Sequence, residues 1–221
     1  IVFSGLKTFT GKDYIERTVI KAIKNDIAIY AIHTNLDNVS NGVNHKIGER
    51  LGLKNLQTLA PKANLLKKLI TFVPNEHLEN VREALFSAGA GVIGNYDQVS
   101  FISEGNGTFR GNENTSPFAG ESGERHTEEE ARLEVVLTND KLPTILNALI
   151  KSHPYEEVAY DIISLENKHQ NIGSGMIGEL EEEMSEESFL SFVKKTMKSG
   201  VVRHTNFLNK SIKRVAFCGG S

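Results

Sequence analysis

The sequence predicts an α/β protein with an α+β unit of β-α-β-β-α-β order inserted in it, and three stretches make that prediction. Residues 27–32, IAIYAI, are a continuous apolar run between two segments of helical periodicity, the pattern of a parallel strand covered on both faces. From KKLITFVP to VAYDIISLE, strand-like and helix-like segments follow one another in the split βαβ, ferredoxin-like order. After about residue 168 the α/β style resumes. The predicted domains are therefore residues 1–66 with 168–221, a discontinuous α/β domain, and residues 67–167, the insertion.

The elements follow in order. GKDYIERTVIKAIKND sets Tyr14, Ile15, Val19, Ile20 and Ile23 at helical spacing between charged residues. The IAIYAIH strand comes next, then a turn at Asn41-Gly42 and a second helix through VNHKIGERLGL, with Asn44 placed to help start it. This helix-strand-helix order predicts a parallel, helix-covered sheet. In the insertion, KKLITFVP reads as a strand and NEHLENVREALFSAGA as a helix ended by glycine. IGNYDQVSFIS and ARLEVVLT alternate as antiparallel strands, KLPTILNALIKSH is helical, and VAYDIISLE closes the unit. Between its halves lies GNGTFRGNENTSPFAGESGERHTEEE, rich in Gly, Asn, Ser and Glu, which predicts a long surface hairpin or loop. The last segment offers a strand-like GSGMIG, an acidic surface stretch ELEEEMSEE, a helix capped by Ser185, and a closing strand SIKRVAFCGG.

Composition bounds the function. A chain of 221 residues with 39% hydrophobic and 24% charged residues is globular, with room for one large or two small domains. A formal net charge of -3 supplies no basic stripe, so no nucleic-acid partner is expected. The one cysteine, Cys218, excludes an intramolecular disulfide and fits a reducing compartment; on its apolar strand it is expected to be buried and inert. No apolar run reaches about 18 residues and no signal peptide is visible, so no membrane span is expected and the cytoplasm is the expected location. The chain starts at Ile1 rather than Met and stops where a strand runs into Gly219 and Gly220. A fragment is expected, with both ends close to functional positions. A glycine turn after a strand normally offers its N–H groups to a ligand.

Two motifs carry candidate chemistry. In IAIYAIHTNLD the apolar run stops at His33, and Asp37 follows four residues later. Open α/β sheets place ligands at this end of a strand. An imidazole and a carboxylate suit zinc, iron or manganese, or proton transfer. The same residues also fit an ordinary polar strand exit, with His33 bonded to backbone and Asp37 capping the next turn. The second motif is HPYEEV, at His153 to Val158. Pro154 drives His153 out of helical geometry, so His153 is expected to close a helix, favourably placed near its negative end. GSGMIG lacks a Rossmann context, and ELEEEMSEE lacks the pattern of a calcium loop.

Taken together, AIHTNLD, the following GVN at Gly42 to Asn44, HPYE in the βαββαβ insertion, and a closing strand ending in GGS resemble the NIF-three-like family, also labelled GTP cyclohydrolase 1 type 2 homologues. The resemblance spans essentially the whole chain and is to the long form, whose inserted domain is PII/CutA-like. It implies two divalent metal ions per subunit, held by a His-His-Pro motif, the Asp of HTNxD, and a His-x-x-x-Glu pair. Only the Asp is carried over, onto Asp37; the other ligands would lie before Ile1 and beyond Ser221. His33 matches the motif histidine, and the resemblance implies for it a place beside the metal ligands or a role as proton carrier. It further implies a homohexamer, a small-molecule ligand, and hydrolytic attack of metal-activated water, with GTP as substrate and C8 of guanine as the target. The alternative is a non-enzymatic hexameric scaffold that binds metal for delivery or sensing.

Overall fold

The computed structural model describes Gly5 and residues 7–219. The chain divides into two compact units, Ile1–Ala60 with Asn171–Ser221 and Pro61–Gln170, where the sequence placed the seams at 66/67 and 167/168.

The first unit begins with α1 (Tyr14–Lys24). Asp13 caps it by accepting from the Glu16 N–H at 2.8 Å, and the Glu16 carboxylate reaches back to the Thr10 and Lys12 N–H groups at 2.9 and 3.1 Å. The Asp13 bond satisfies the Glu16 N–H, one of the donors that a helix start leaves open, and the Thr10 hydroxyl also donates to the Glu16 carboxylate. Next come α2 (Asn35–Asn38), α3 (Val43–Arg50) and β1 (Lys54–Lys62). The chain returns to this unit through β6 (His169–Ser185), α6 (Glu186–Thr196) and β7 (Ser211–Phe217). The sheet order is β1-β6-β7, and β6 and β7 run antiparallel, with Met176 opposite Phe217 and Ser185 opposite Ser211. A small core of Leu51, Leu53, Leu180 and Val215 lies between this sheet and α3 and α6, with Ile47, Leu56, Phe189 and Phe192 packed against it. Ser185 caps α6 as predicted, accepting from the Ser188 N–H at 3.2 Å.

The strand expected at residues 27–32 is not formed. Residues 27–32 belong to no strand among the described residues: the Ile27 N–H donates to the Ala22 carbonyl at 2.9 Å, and Ile27 and Tyr30 are 60% and 83% exposed. An apolar run becomes a strand only when neighbours take up its backbone groups, and among the described residues the sheet is made by β1, β6 and β7 instead. The expected parallel sheet is corrected with it. β1 itself went unpredicted, because KNLQTLAPK lacks both a clear alternation and β-branched residues apart from Thr58. The acidic ELEEEMS is part of the 17-residue β6 rather than a separate surface stretch. Cys218 lies just past the end of β7 and is exposed, not buried, because the strand ends at Phe217.

The second unit runs β2 (Leu66–Pro74), α4 (Leu78–Ser87), β3 (Ser100–Phe109), β4 (His126–Thr138), α5 (Leu142–Ser152) and β5 (Tyr160–Leu165). Its sheet order is β3-β4-β2-β5, with antiparallel pairing throughout. Leu69 and Val73 of β2 and Leu133, Val135 and Leu137 of β4 share one face, which Val81, Leu85, Ile145 and Leu149 of the two helices cover. Residues 93–99, read as the start of a strand, make a tight turn closed by Ile93 and Tyr96, so β3 begins only at Ser100. The Gly/Asn-rich stretch splits as expected of a long hairpin: its ends extend β3 and β4, and residues 110–125 form the loop.

Candidate functional site

His33 opens a tight reversal with φ of +53°, a left-handed conformation that histidine tolerates better than branched residues. The Asp37 N–H then donates to the Thr34 carbonyl at 3.2 Å, the Asn38 side-chain amide donates to the same oxygen at 2.8 Å, and the chain turns into α2. Asn44, the second residue of α3, is buried and uses both ends of its amide. Its Nδ2 donates to the Asp37 carbonyl at 2.7 Å, and its Oδ1 accepts from the Gly219 N–H at 2.6 Å. Asn44 therefore does not cap α3, whose N-cap is Gly42; it ties the Asp37 turn to the glycines after β7. The Gly219 N–H that the sequence left open to a ligand is taken by this bond. A methyl group on Gly42 would overlap the Leu36 carbonyl oxygen, so α2 and the start of α3 touch backbone to backbone. Ser174 of β6 adds a hydroxyl donated to Asn38 Oδ1 at 2.9 Å.

The structure thus gathers HTNLD, GVN and the Gly219 turn around one buried amide. His33 is exposed and Asp37 half-buried, and among the described residues no hydrogen bond or ion pair engages the Asp37 carboxylate. No three His, Cys, Asp or Glu side chains among the described residues come together to hold a metal ion. Asp37 has the chemistry of a ligand to a hard or borderline cation, but the described residues do not complete a set.

HPYEEV lies in the second unit, against the sheet face that the helices leave open. His153 ends α5 as predicted and is buried. Its Nδ1 accepts from the Tyr155 N–H at 3.1 Å, so Nε2 carries the proton and donates to the Phe72 carbonyl at 2.9 Å. Burial holds this imidazole below its usual range despite the Phe72 bond. It is neutral, and the favourable interaction of a charged histidine with the helix end is absent. Tyr155 donates its hydroxyl to Glu130 Oε1 at 2.8 Å, and burial first, then this bond, push the phenol above its usual range. Phe109 and Phe118 flank Tyr155, each with ring centres 5.9 Å away. Phe109, Phe118, Tyr155 and Glu130 line a cavity of about 560 Å³, floored by Gly105 and Gly107 of β3 and roofed by Thr115, Pro117 and Phe118 of the hairpin loop. Tyr155 belongs to the HPYEEV motif; Glu130, 25 residues away in sequence, was not singled out. The alternation of EEEARLEVVL was the available sign, since it puts Glu130 on the face opposite Ala131, Leu133 and Val135.

The model of the Duf34/NIF3 (NGG1p interacting factor 3) family matches residues 1–221. The chain belongs to the Duf34/NIF3 family. Relatives named GTP cyclohydrolase 1 type 2 homolog, from Halalkalibacterium halodurans and Bacillus subtilis, are each 43% identical over 221 and 220 residues, covering 100% and 99% of this chain. The Duf34/NIF3 chain spans 59% of the length of each. A crystal structure of a Bacillus cereus protein related to NIF3 superposes with a TM-score of 0.82 at 41% identity, covering 100% of this chain and 58% of that one. The α/β class read from the sequence agrees with this membership. Among the described residues, no helix of this family member is long and apolar enough to cross a membrane.

Proposed function

We propose that this chain supplies Asp37 as one ligand of a two-ion divalent metal centre, and that the whole protein is a metal-dependent hydrolase acting on a purine nucleotide such as GTP. The observation that supports the reading is the convergence on Asn44. A buried amide fixes the backbone of Asp37 from one side and is itself fixed by the Gly219 turn, so the backbone that carries a half-buried carboxylate is held in place while, among the described residues, the carboxylate itself has no partner. Divalent ions at such a site lower the pKa of bound water and stabilise developing negative charge. In this reading the remaining ligands come from elsewhere in the whole protein; among the described residues no three His, Cys, Asp or Glu side chains gather to hold a metal ion. His33, exposed where the same turn opens, would carry a proton to or from solvent. The relatives' shared name points to GTP as the substrate and to hydrolysis as the reaction. We place the chain in a homohexamer.

The test is elemental analysis of the full-length protein beside its Asp37→Ala and Asp37→Asn variants. Roughly two divalent ions per subunit are expected, falling in both variants while the assembly measured by light scattering stays intact. GTP turnover should disappear in parallel. Metal content unchanged by either substitution would remove Asp37 from the centre. A second reading, a non-catalytic metal-binding scaffold that senses or delivers metal, is favoured by the separate ligand-sized cavity in the 61–170 unit. It predicts metal bound at Asp37 with no turnover to lose.

A further inference from the structure

The cavity of the 61–170 unit has a charge problem that its own residues do not solve. Glu130 is 8% exposed, and its partner is the neutral Tyr155 hydroxyl. Among the described residues no Lys, Arg or His nitrogen lies within ion-pairing distance of it. Arg132, two residues along the same strand face, is turned to Glu134 at 2.9 Å, and Lys68 is bound to that same Glu134 at 2.6 Å. His153 nearby is neutral. A methyl group on Gly107 would overlap the Glu130 carboxylate, so the absence of a side chain there is what lets the carboxylate lie against β3. Burying a carboxylate without a countercharge is costly.

The rest of the lining names the missing partner. Of the charged residues that line the cavity on the Glu130 side, three are carboxylates, Glu130, Glu156 and Glu157, against two guanidinium groups, Arg110 and the engaged Arg132. The rings of Phe109, Phe118 and Tyr155 gather at centre distances of 5.9 Å on the same side as Glu130. Aromatic faces beside a buried carboxylate attract a cation with an apolar body, through ring quadrupoles and through direct charge. A volume of about 560 Å³ is that of a small-molecule pocket. The roof is tied down, because the Ser116 N–H donates to Glu156 Oε1 at 3.1 Å and Phe118 packs edge-on against His77.

We propose that this cavity binds a small organic cation, an amine whose charged head bonds to Glu130 and whose apolar body rests on Phe109, Phe118 and Tyr155. The site is independent of the Asp37 reading. Its floor offers a clean test, because a side chain added at Gly105 would meet no atom within 4 Å and would grow into the cavity.

Benzylamine, cationic at neutral pH, is the probe, titrated calorimetrically into the full-length protein beside benzyl alcohol and benzoate, which share its ring. Benzylamine should bind with saturation, and the neutral and anionic analogues at least about tenfold more weakly. Glu130→Gln keeps an acceptor for the Tyr155 hydroxyl and removes only the charge; it should weaken benzylamine by about tenfold or more and leave benzyl alcohol unchanged. Gly105→Val should abolish binding while the thermal transition stays in place. Asp37→Asn should not alter it. Equal binding of all three compounds, no effect of Glu130→Gln, displacement of benzylamine by Mg²⁺ alone, or no binding up to about 10 mM would overturn the proposal.

Discussion

His153 is buried with both ring nitrogens engaged, and the cost of charging it there sets a pH dependence. Its folded-state pKa lies below the ordinary value of 6.5. Below that value the unfolded chain takes up a proton that the folded chain refuses. The stability His153 confers is therefore complete above about pH 6.5 and is lost as pH falls toward its folded pKa. Glu134, whose pKa the Lys68 bond lowers from 4.5, adds its own loss only in a more acidic range. The urea midpoint should fall between pH 7.5 and 5.5, and the fall should shrink in His153→Gln; an unchanged slope in that variant would discard the assignment. The role of His153 as a helix stop was legible, because Pro154 dictates it. Its neutrality was not, because the Phe72 carbonyl that fixes its tautomer comes from 81 residues away. For the same reason the sequence marked Asp37 and was silent on the amide that holds it.

At the scale of elements, the contact between α2 and α3 depends on Gly42, whose φ of -82° asks nothing special of the backbone. What excludes a larger residue is the Leu36 carbonyl oxygen. Gly42→Ala should lower stability by about 1–3 kcal/mol by overpacking and should reduce metal content in the whole protein by moving Asp37; denaturation curves paired with elemental analysis check both. Elements whose signals are local were legible: the acceptor at Ser185 before α6, the apolar stripes of α4 and α5, and the alternation in β4. Elements decided by partners were not. Residues 27–32 have a stronger strand composition than KNLQTLAPK, yet the weaker segment is the one that forms β1. Pairing across a sheet is a property of neighbours, and composition reports only willingness to pair.

For the whole molecule, the division into two units assigns each its own core. Leu69, Leu85, Leu133, Ile145 and Leu149 all belong to the 61–170 unit and are fully buried. Residues 61–170 produced alone should unfold in one cooperative transition, and Leu133→Ala should lower that transition by about 2–5 kcal/mol. A broad, non-cooperative melt of this piece would show that its core depends on the remainder of the chain. The β-α-β-β-α-β order of this unit could be read in advance because its strands alternate and its helices are amphipathic. The other unit was harder, since its sheet is assembled from segments before and after the first. That arrangement has a consequence for how the protein is made. The bond from the Gly219 N–H to Asn44 spans 175 residues, so at ordinary ribosomal speeds Asp37 waits roughly 10 to 35 seconds before the residue that completes its anchorage is synthesised. During that interval the Asp37 turn is already translated but not locked, and the nascent chain carries its carboxylate unaimed until β7 and Gly219 arrive.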